Sequence, residues 1–187
     1  MSGCNRMTPV GFYPMMDDLN ESLVRDLDAA FPAVVDRLGG RLYWGLRRMS
    51  GSHQEAEDLT QETFIRAYRA LAGYPAERIG EMRLEPWVWT IALNLGRNHA
   101  RDRARRPTLV TLDYEVAAQG PELVEPGLWD QRFSRLSKAQ RTAVVLRHVV
   151  GMGIEEIAEA TGRPTGTVKA DIHRGLNRLR EIMEVEQ

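Results

Sequence analysis

Two short helical patterns that meet across a tight corner, near the end of the chain, constrain its fold more than any other feature. Ser137-Lys138-Ala139-Gln140 has the form of a capping box and opens a helix predicted to run to about Val150. Gly151-Met152-Gly153 interrupts it. A short helix follows from Ile154 to Ala160, then a corner at Thr161-Gly162-Arg163-Pro164, and Thr165 opens a last helix. Its apolar stripe is Val168, Ile172, Leu176 and Leu179, with Gly175 on the same face, the spacing of a helix with one buried side. A short helix, a glycine-containing turn and a longer second helix form the helix-turn-helix plan, whose second helix enters the major groove of DNA.

An αα-corner that merely closes a bundle would share this pattern, so the polar side of the last helix has to decide. It carries Gly166, Lys169, Ala170, His173, Arg174 and Asn177. A solvated helix more often shows mixed Glu and Lys pairs. Small residues instead permit close approach, and Lys, Arg and Asn donate to base edges and phosphates. The residues favour DNA reading.

Charge is distributed unevenly along the 187 residues, although the net charge is only −1. Residues 97–106 hold five Arg against the single acid Asp102, whereas residues 107–128 hold Asp113, Glu115, Glu122 and Glu125 with no Lys or Arg. The whole-chain value therefore conceals a basic patch followed by an acidic segment. That segment also contains Pro107, Gly120, Pro121, Pro126 and Gly127 without sustained periodicity, which predicts an extended linker. Arg greatly outnumbers Lys, a bias that suits planar contacts to phosphate and equally fits genome composition. The lone Cys4 excludes an internal disulfide framework, and no apolar run approaches the roughly 20 residues that span a bilayer. A cytoplasmic protein without membrane insertion is expected.

The N-terminal half also reads as helical. Residues 31–49 form a first amphipathic pattern with Pro32 in its opening turn, and Ser52 with Glu55 opens a second helix through Leu71. Ala56, Leu59, Thr63, Phe64, Ala67, Tyr68 and Leu71 form its buried line, and Glu55, Asp58, Gln61 and Glu62 lie opposite. Taken alone, that acidic side reads as a solvated face. A further helix from Pro86 to about Arg106 places Trp87, Thr90, Asn94, Arg97, Asn98, Arg101 and Arg105 on one narrow stripe, beside an apolar face of Val88, Ile91, Ala92 and Leu95. Trp87 among Asn and Arg fits a ring that stacks on unpaired bases; the alternative is a ring folded onto a local loop.

Three motifs in order resemble the extracytoplasmic-function group of sigma-70-type transcription factors. Glu57 to Tyr68 (EDLTQETFIRAY) is similar to that family's region 2.2, Trp87 to Asn94 (WVWTIALN) to the start of regions 2.3 and 2.4, and Gly151 to Leu179 to region 4.2. The resemblance implies an all-α fold of two small helical domains joined by an acidic flexible linker. The expected divisions are region 2 (28–106), linker (107–128) and region 4 (129–187), preceded by a flexible acidic leader (1–27) that matches nothing in the family. It implies core RNA polymerase and promoter DNA as partners and leaves room for an anti-sigma factor. Asp58, Gln61 and Glu62 become polymerase contacts. Trp87, Asn94, Arg97, Asn98, Arg101 and Arg105 become −10 contacts, with the loop 73–85 holding a flipped base. Thr167, Lys169, Ala170, His173 and Arg174 become −35 contacts.

The implied activity is that of an alternative sigma factor, which directs promoter-specific initiation and assists strand separation. It is not an enzyme and needs no cofactor. The chain has no HExxH, GxSxG or phosphate-cradling glycine loop, and its four His show no paired metal-ligand spacing. The competing assignment is a helix-turn-helix repressor with an N-terminal sensing or dimerisation bundle, which leaves the Asp58-Gln61-Glu62 face and the Trp87 stripe unexplained. The chain departs from the family at Ala170-Asp171, where Ser-Arg is frequent. Asp171 is expected near the core border, so that its removal has little effect on DNA binding or slightly strengthens it by removing repulsion.

Overall fold

The computed structural model describes residues 17–105 and 126–186, and among these there is no β-strand. Asp26 separates α1 (Asp17–Arg25) from α2 (Leu27–Ser50) and caps the latter, its carboxylate accepting from the Ala29 N–H at 3.0 Å. The cap starts α2 earlier than the sequence pattern suggests, so Pro32 lies inside the helix rather than in its opening turn. The region expected as a leader is likewise helical from Asp17. Leu23 is buried, and Asn20 Nδ2 donates to the carbonyls of Gly80 (3.3 Å) and Met82 (2.8 Å), tying α1 to the segment after α3.

Ser52 Oγ accepts from the Glu55 N–H and opens α3 (His53–Leu71), whose buried side is Ala56, Leu59, Thr63, Phe64, Ala67 and Leu71. Tyr68, expected on that line, is partly exposed: its ring lies edge-on to Phe31 at 5.2 Å and its hydroxyl donates to Asp28. The predicted loop 73–85 contains a short helix, α4 (Ala76–Glu81), pinned by buried Ile79. α5 (Leu84–Arg105) follows and buries Val88, Trp89, Ala92 and Leu95. The expected linker lies outside the described residues as far as Glu125, and α6 (Pro126–Ser134) starts on a proline suited to a first turn.

Ser137 and Gln140 form the expected capping box at α7 (Lys138–Val144), which continues as a π-helical turn over Val145–Val150. α8 (Ile154–Thr161) and α9 (Thr165–Val185) make the helix-turn-helix. Gly162 at φ 66° supplies the left-handed residue of the corner, a conformation that costs a glycine little. Gly175 lets α9 approach α7 closely, since a Cβ there would lie 2.6 Å from Val144 Cγ2. The buried line of α9 is Val168, Asp171, Gly175, Leu179 and Ile182, with Ile172 and Leu176 only half-buried. An aspartate therefore occupies a core position that the apolar stripe alone would not reveal.

The two halves are not held apart. Their buried side chains form one continuous core, in which α2 packs on the π-helical turn and α5 packs along α8. Gly45 of α2 marks the convergence, because a Cβ there would meet Trp89 at 2.5 Å and Val150 at 2.9 Å. Polar contacts cross the seam as well. Arg41 donates to the Val150 carbonyl through Nη2 (2.6 Å) and Nε (3.1 Å), and Arg141 Nη1 donates to the Met49 carbonyl at 3.0 Å. Arg83 pairs with Glu156 and Glu159, both at 3.1 Å, and Asp130 receives Arg47 and Arg48 at 2.9 and 3.0 Å. The chain is closed on itself.

Candidate functional site

Three exposed surfaces carry the residues singled out by the sequence. On α3, Asp58 and Gln61 are exposed and Glu62 is half-buried, opposite the line through Leu59 and Phe64. Gln54 Nε2 donates to Asp58 Oδ1 at 3.0 Å, and Arg66 pairs with Glu62 at 2.6 Å. These residues line a shallow groove of about 280 Å³ completed by exposed Ile65 and by His99 of α5. The structure thus adds an exposed isoleucine and an imidazole ring to the acidic set. His99 could not be paired with α3 from helical periodicity, because the contact joins two helices.

On α5, Asn94, Arg97, Asn98 and Arg101 are all exposed on one side, as the stripe predicts, with Arg97 Nη2 donating to Asn94 Oδ1. Arg105 ends the helix, and its side chain lies outside the described residues. Trp87 differs from its neighbours on the stripe. It is half-buried, its ring 5.9 Å from that of Tyr74, over which Arg78 stacks at 3.7 Å. The indole therefore packs on the segment between α3 and α5 while retaining some exposure. Arg97 also lines a cavity of about 630 Å³ between the halves, together with Leu59, Gly96, Arg141, Ile157 and Arg163.

On α9, Lys169, His173 and Arg174 are exposed, Thr167 and Ala170 half-buried. These lie away from the core line of that helix, and its tail is anchored by Arg132 of α6, which pairs with Glu186 at 2.8 Å. The corner adds a residue that the sequence pattern did not single out. Arg163 Nη1 donates to Asp171 Oδ2, and Arg174 Nη2 donates to Asp171 Oδ1 at 2.8 Å. Asp171 is 4% exposed, deeper than the core border where the sequence placed it. It also holds two arginines, one of which, Arg174, is among the expected −35 contacts.

Comparison with known proteins assigns this arrangement. The description "Sigma-70 region 2" matches residues 34–106 and "Sigma-70, region 4" matches residues 127–179. The chain belongs to the extracytoplasmic-function group of the sigma-70 family. It is 33% identical over 171 residues to the ECF RNA polymerase sigma factor SigW of Bacillus subtilis, covering 81% of this chain and 88% of the relative. It is 35% identical over 168 residues to the ECF sigma factor SigE of Mycolicibacterium smegmatis, covering 83% of this chain and 63% of that longer protein.

Among solved structures, the fold is similar to CnrH in complex with the cytosolic domain of CnrY, with a TM-score of 0.71 and 22% identity over 91% of this chain and 98% of the other. It is also similar to the sigma factor RpoE of Bartonella quintana, crystallised with the anti-sigma factor NepR, with a TM-score of 0.64 and 25% identity over 92% of this chain and all of the other. The chain is accordingly an alternative sigma factor, which directs transcription initiation by binding core RNA polymerase and promoter DNA. Its region 2 comprises the α3 and α5 surfaces, and its region 4 the helix-turn-helix. Among the described residues no cluster of metal-ligating side chains occurs, and no helix is long and apolar enough to cross a membrane.

Proposed function

We propose that the three exposed surfaces divide the work of a non-enzymatic, cytoplasmic specificity subunit. The α3 groove of Asp58, Gln61 and Glu62 docks on core polymerase, its carboxylates meeting basic side chains while Ile65 supplies apolar contact. The α5 stripe of Asn94, Arg97, Asn98, Arg101 and Arg105 holds the −10 strands, and Trp87 borders the unpaired base. Thr167, Lys169, Ala170, His173 and Arg174 read −35. One observation carries this division: each set lies off the core line of its own helix and includes exposed polar side chains, Asp58 and Gln61 on α3, Asn94, Arg97, Asn98 and Arg101 on α5, and Lys169, His173 and Arg174 on α9.

The closed packing gives this reading a conformational step. The −10 and −35 elements are about 25 base pairs apart, about 85 Å along B-DNA at 3.4 Å per pair. Helices packed against one another are separated by about 8–10 Å. Because α5 packs along α8, the reading helix α9 cannot reach −35 while α5 holds −10 in the same molecule. The halves must part on the promoter, and the closed form is the resting form. Since the Bartonella quintana relative is described with an anti-sigma factor, a protein that binds this closed form is a fitting regulator.

The docking assignment is tested with Asp58→Lys/Gln61→Ala. Both side chains are exposed, so fold stability should change by only about 0.5 kcal/mol. Polymerase affinity measured by titration should collapse. Wild-type affinity in a folded double variant refutes the assignment.

A further inference from the structure

Asp171 presents a question that stability does not answer. Among the described residues it is the carboxylate buried to 4%, at a position where Val168, Gly175 and Leu179 otherwise line the core. Burying a carboxylate is costly, and even a well-paired one gains little over an apolar side chain of similar size. This carboxylate is satisfied by cations from two places: Arg163 in the corner before α9, and Arg174 on α9 one turn beyond Asp171 itself. Neither arginine is itself buried, their side chains being 36% and 58% exposed. The arrangement is a sunken anion holding two surface guanidinium groups.

We propose that Asp171 is a positioning residue for −35 recognition, fixing Arg174 for a base edge and Arg163 for an adjacent phosphate. This rests on the −35 assignment of α9. Each guanidinium has five N–H donors and spends one on Asp171, which leaves donors for DNA. A free arginine forfeits rotamer freedom of about 2 kcal/mol when it is immobilised, whereas a side chain already held by a second bond has paid part of that cost before DNA arrives. Asp171 also fixes the distance between the two cations, because its two oxygens take one each. A negative charge that would repel phosphate at the surface is thereby neutralised from within.

The test uses holoenzyme assembled from the full chain and core polymerase, on duplex promoters with a randomised −35 region and a fixed −10. Wild type, Arg174→Ala, Asp171→Ala, Asp171→Asn and Asp171→Ala/Arg174→Ala are compared for base preference and for the dependence of binding on salt. Asp171→Ala should lose discrimination at the base that Arg174→Ala also loses, by roughly 5- to 150-fold, the span of one good base contact. The double variant should discriminate at that base no worse than Arg174→Ala alone. Asp171→Ala should also lower the salt slope by about 1 as Arg163 loses its phosphate. Asp171→Asn keeps the size and one acceptor, and should fall between. If Asp171→Ala lowers the melting temperature yet keeps the wild-type base preference, or tightens DNA binding, the positioning role is overturned. If Arg174→Ala also leaves base preference untouched, the −35 assignment falls, and this proposal with it.

Discussion

Arg41→Ala should release the two halves of the molecule. The guanidinium makes two kinds of contact with different consequences. Its bonds to the Val150 carbonyl, at 2.6 and 3.1 Å, join α2 to the end of the π-helical turn and are lost when the halves part. Its pair with Glu85, Nη2 to Oε1 at 2.9 Å and Nη1 to Oε2 at 3.1 Å, joins α2 to α5 within region 2 and survives opening. Only the first set bears on closure. A hydrogen bond from a charged group contributes about 1.5–3 kcal/mol. The side chain is 36% exposed, so solvent screening holds the pair of bonds to the range of one, which is roughly 10- to 150-fold in the open-to-closed ratio. Spin labels at Glu77→Cys and Glu184→Cys, in a Cys4→Ser background, report the separation of the halves. The variant should shift the distance distribution to longer values, and apparent polymerase affinity should rise as the competent fraction grows. An unchanged distribution in a folded variant would refute the latch.

Other consequences follow from the same contacts. Burial raises the Glu85 pKa above the usual carboxylate value while Arg41 pulls it down, so Arg41→Ala should raise it further. A raised folded-state pKa contributes stability that is present at acid pH and lost as pH rises through it. The stability deficit of Arg41→Ala in urea unfolding should therefore shrink as pH falls from 7 towards about 4.5, near the ordinary Glu value. Gly175→Ala should destabilise by about 1–3 kcal/mol through overpacking against Val144, read as an earlier urea midpoint with unchanged slope. Trp87→Ala should impair promoter opening more than initial binding, by up to the roughly 1–3 kcal/mol of one stacked base, with permanganate reactivity of unpaired thymines as the readout. Tyr74→Ala should reproduce part of that defect, because Tyr74 supports the indole.

What could be read from sequence is what periodicity and local caps encode. Ser137 with Gln140, the Gly162 corner and the α3 line through Leu59 and Phe64 are local patterns, and each is found as read. α1 and α4 were not legible, because they are short and are held by bonds from Asn20 to carbonyls 60 and 62 residues away. Closure of the halves was hidden for the same reason. Arg41, Arg83 and Gly45 lie in ordinary helical sequence, and only the fold brings them to Val150, Glu156 and Trp89. Asp171 is the instructive case at the site. Its place towards the core border of α9 was legible, whereas its burial within the core line was not, and its partner Arg163 lies across a turn that no helical period spans.

In the proposed division of labour, separate faces of one chain bind polymerase, −10 and −35. It is tested most directly by in vitro transcription from a promoter library, using core polymerase with the wild-type chain, Asp58→Lys/Gln61→Ala or Arg174→Ala. The wild type should start RNA at promoters sharing one −35 and one −10 sequence. The α3 double variant should lose all such starts, whereas Arg174→Ala should retain activity with an altered −35 preference and an unchanged −10. If Arg174→Ala changes −10 and −35 preference together, or if the α3 double variant still directs specific starts, the division of labour is contradicted.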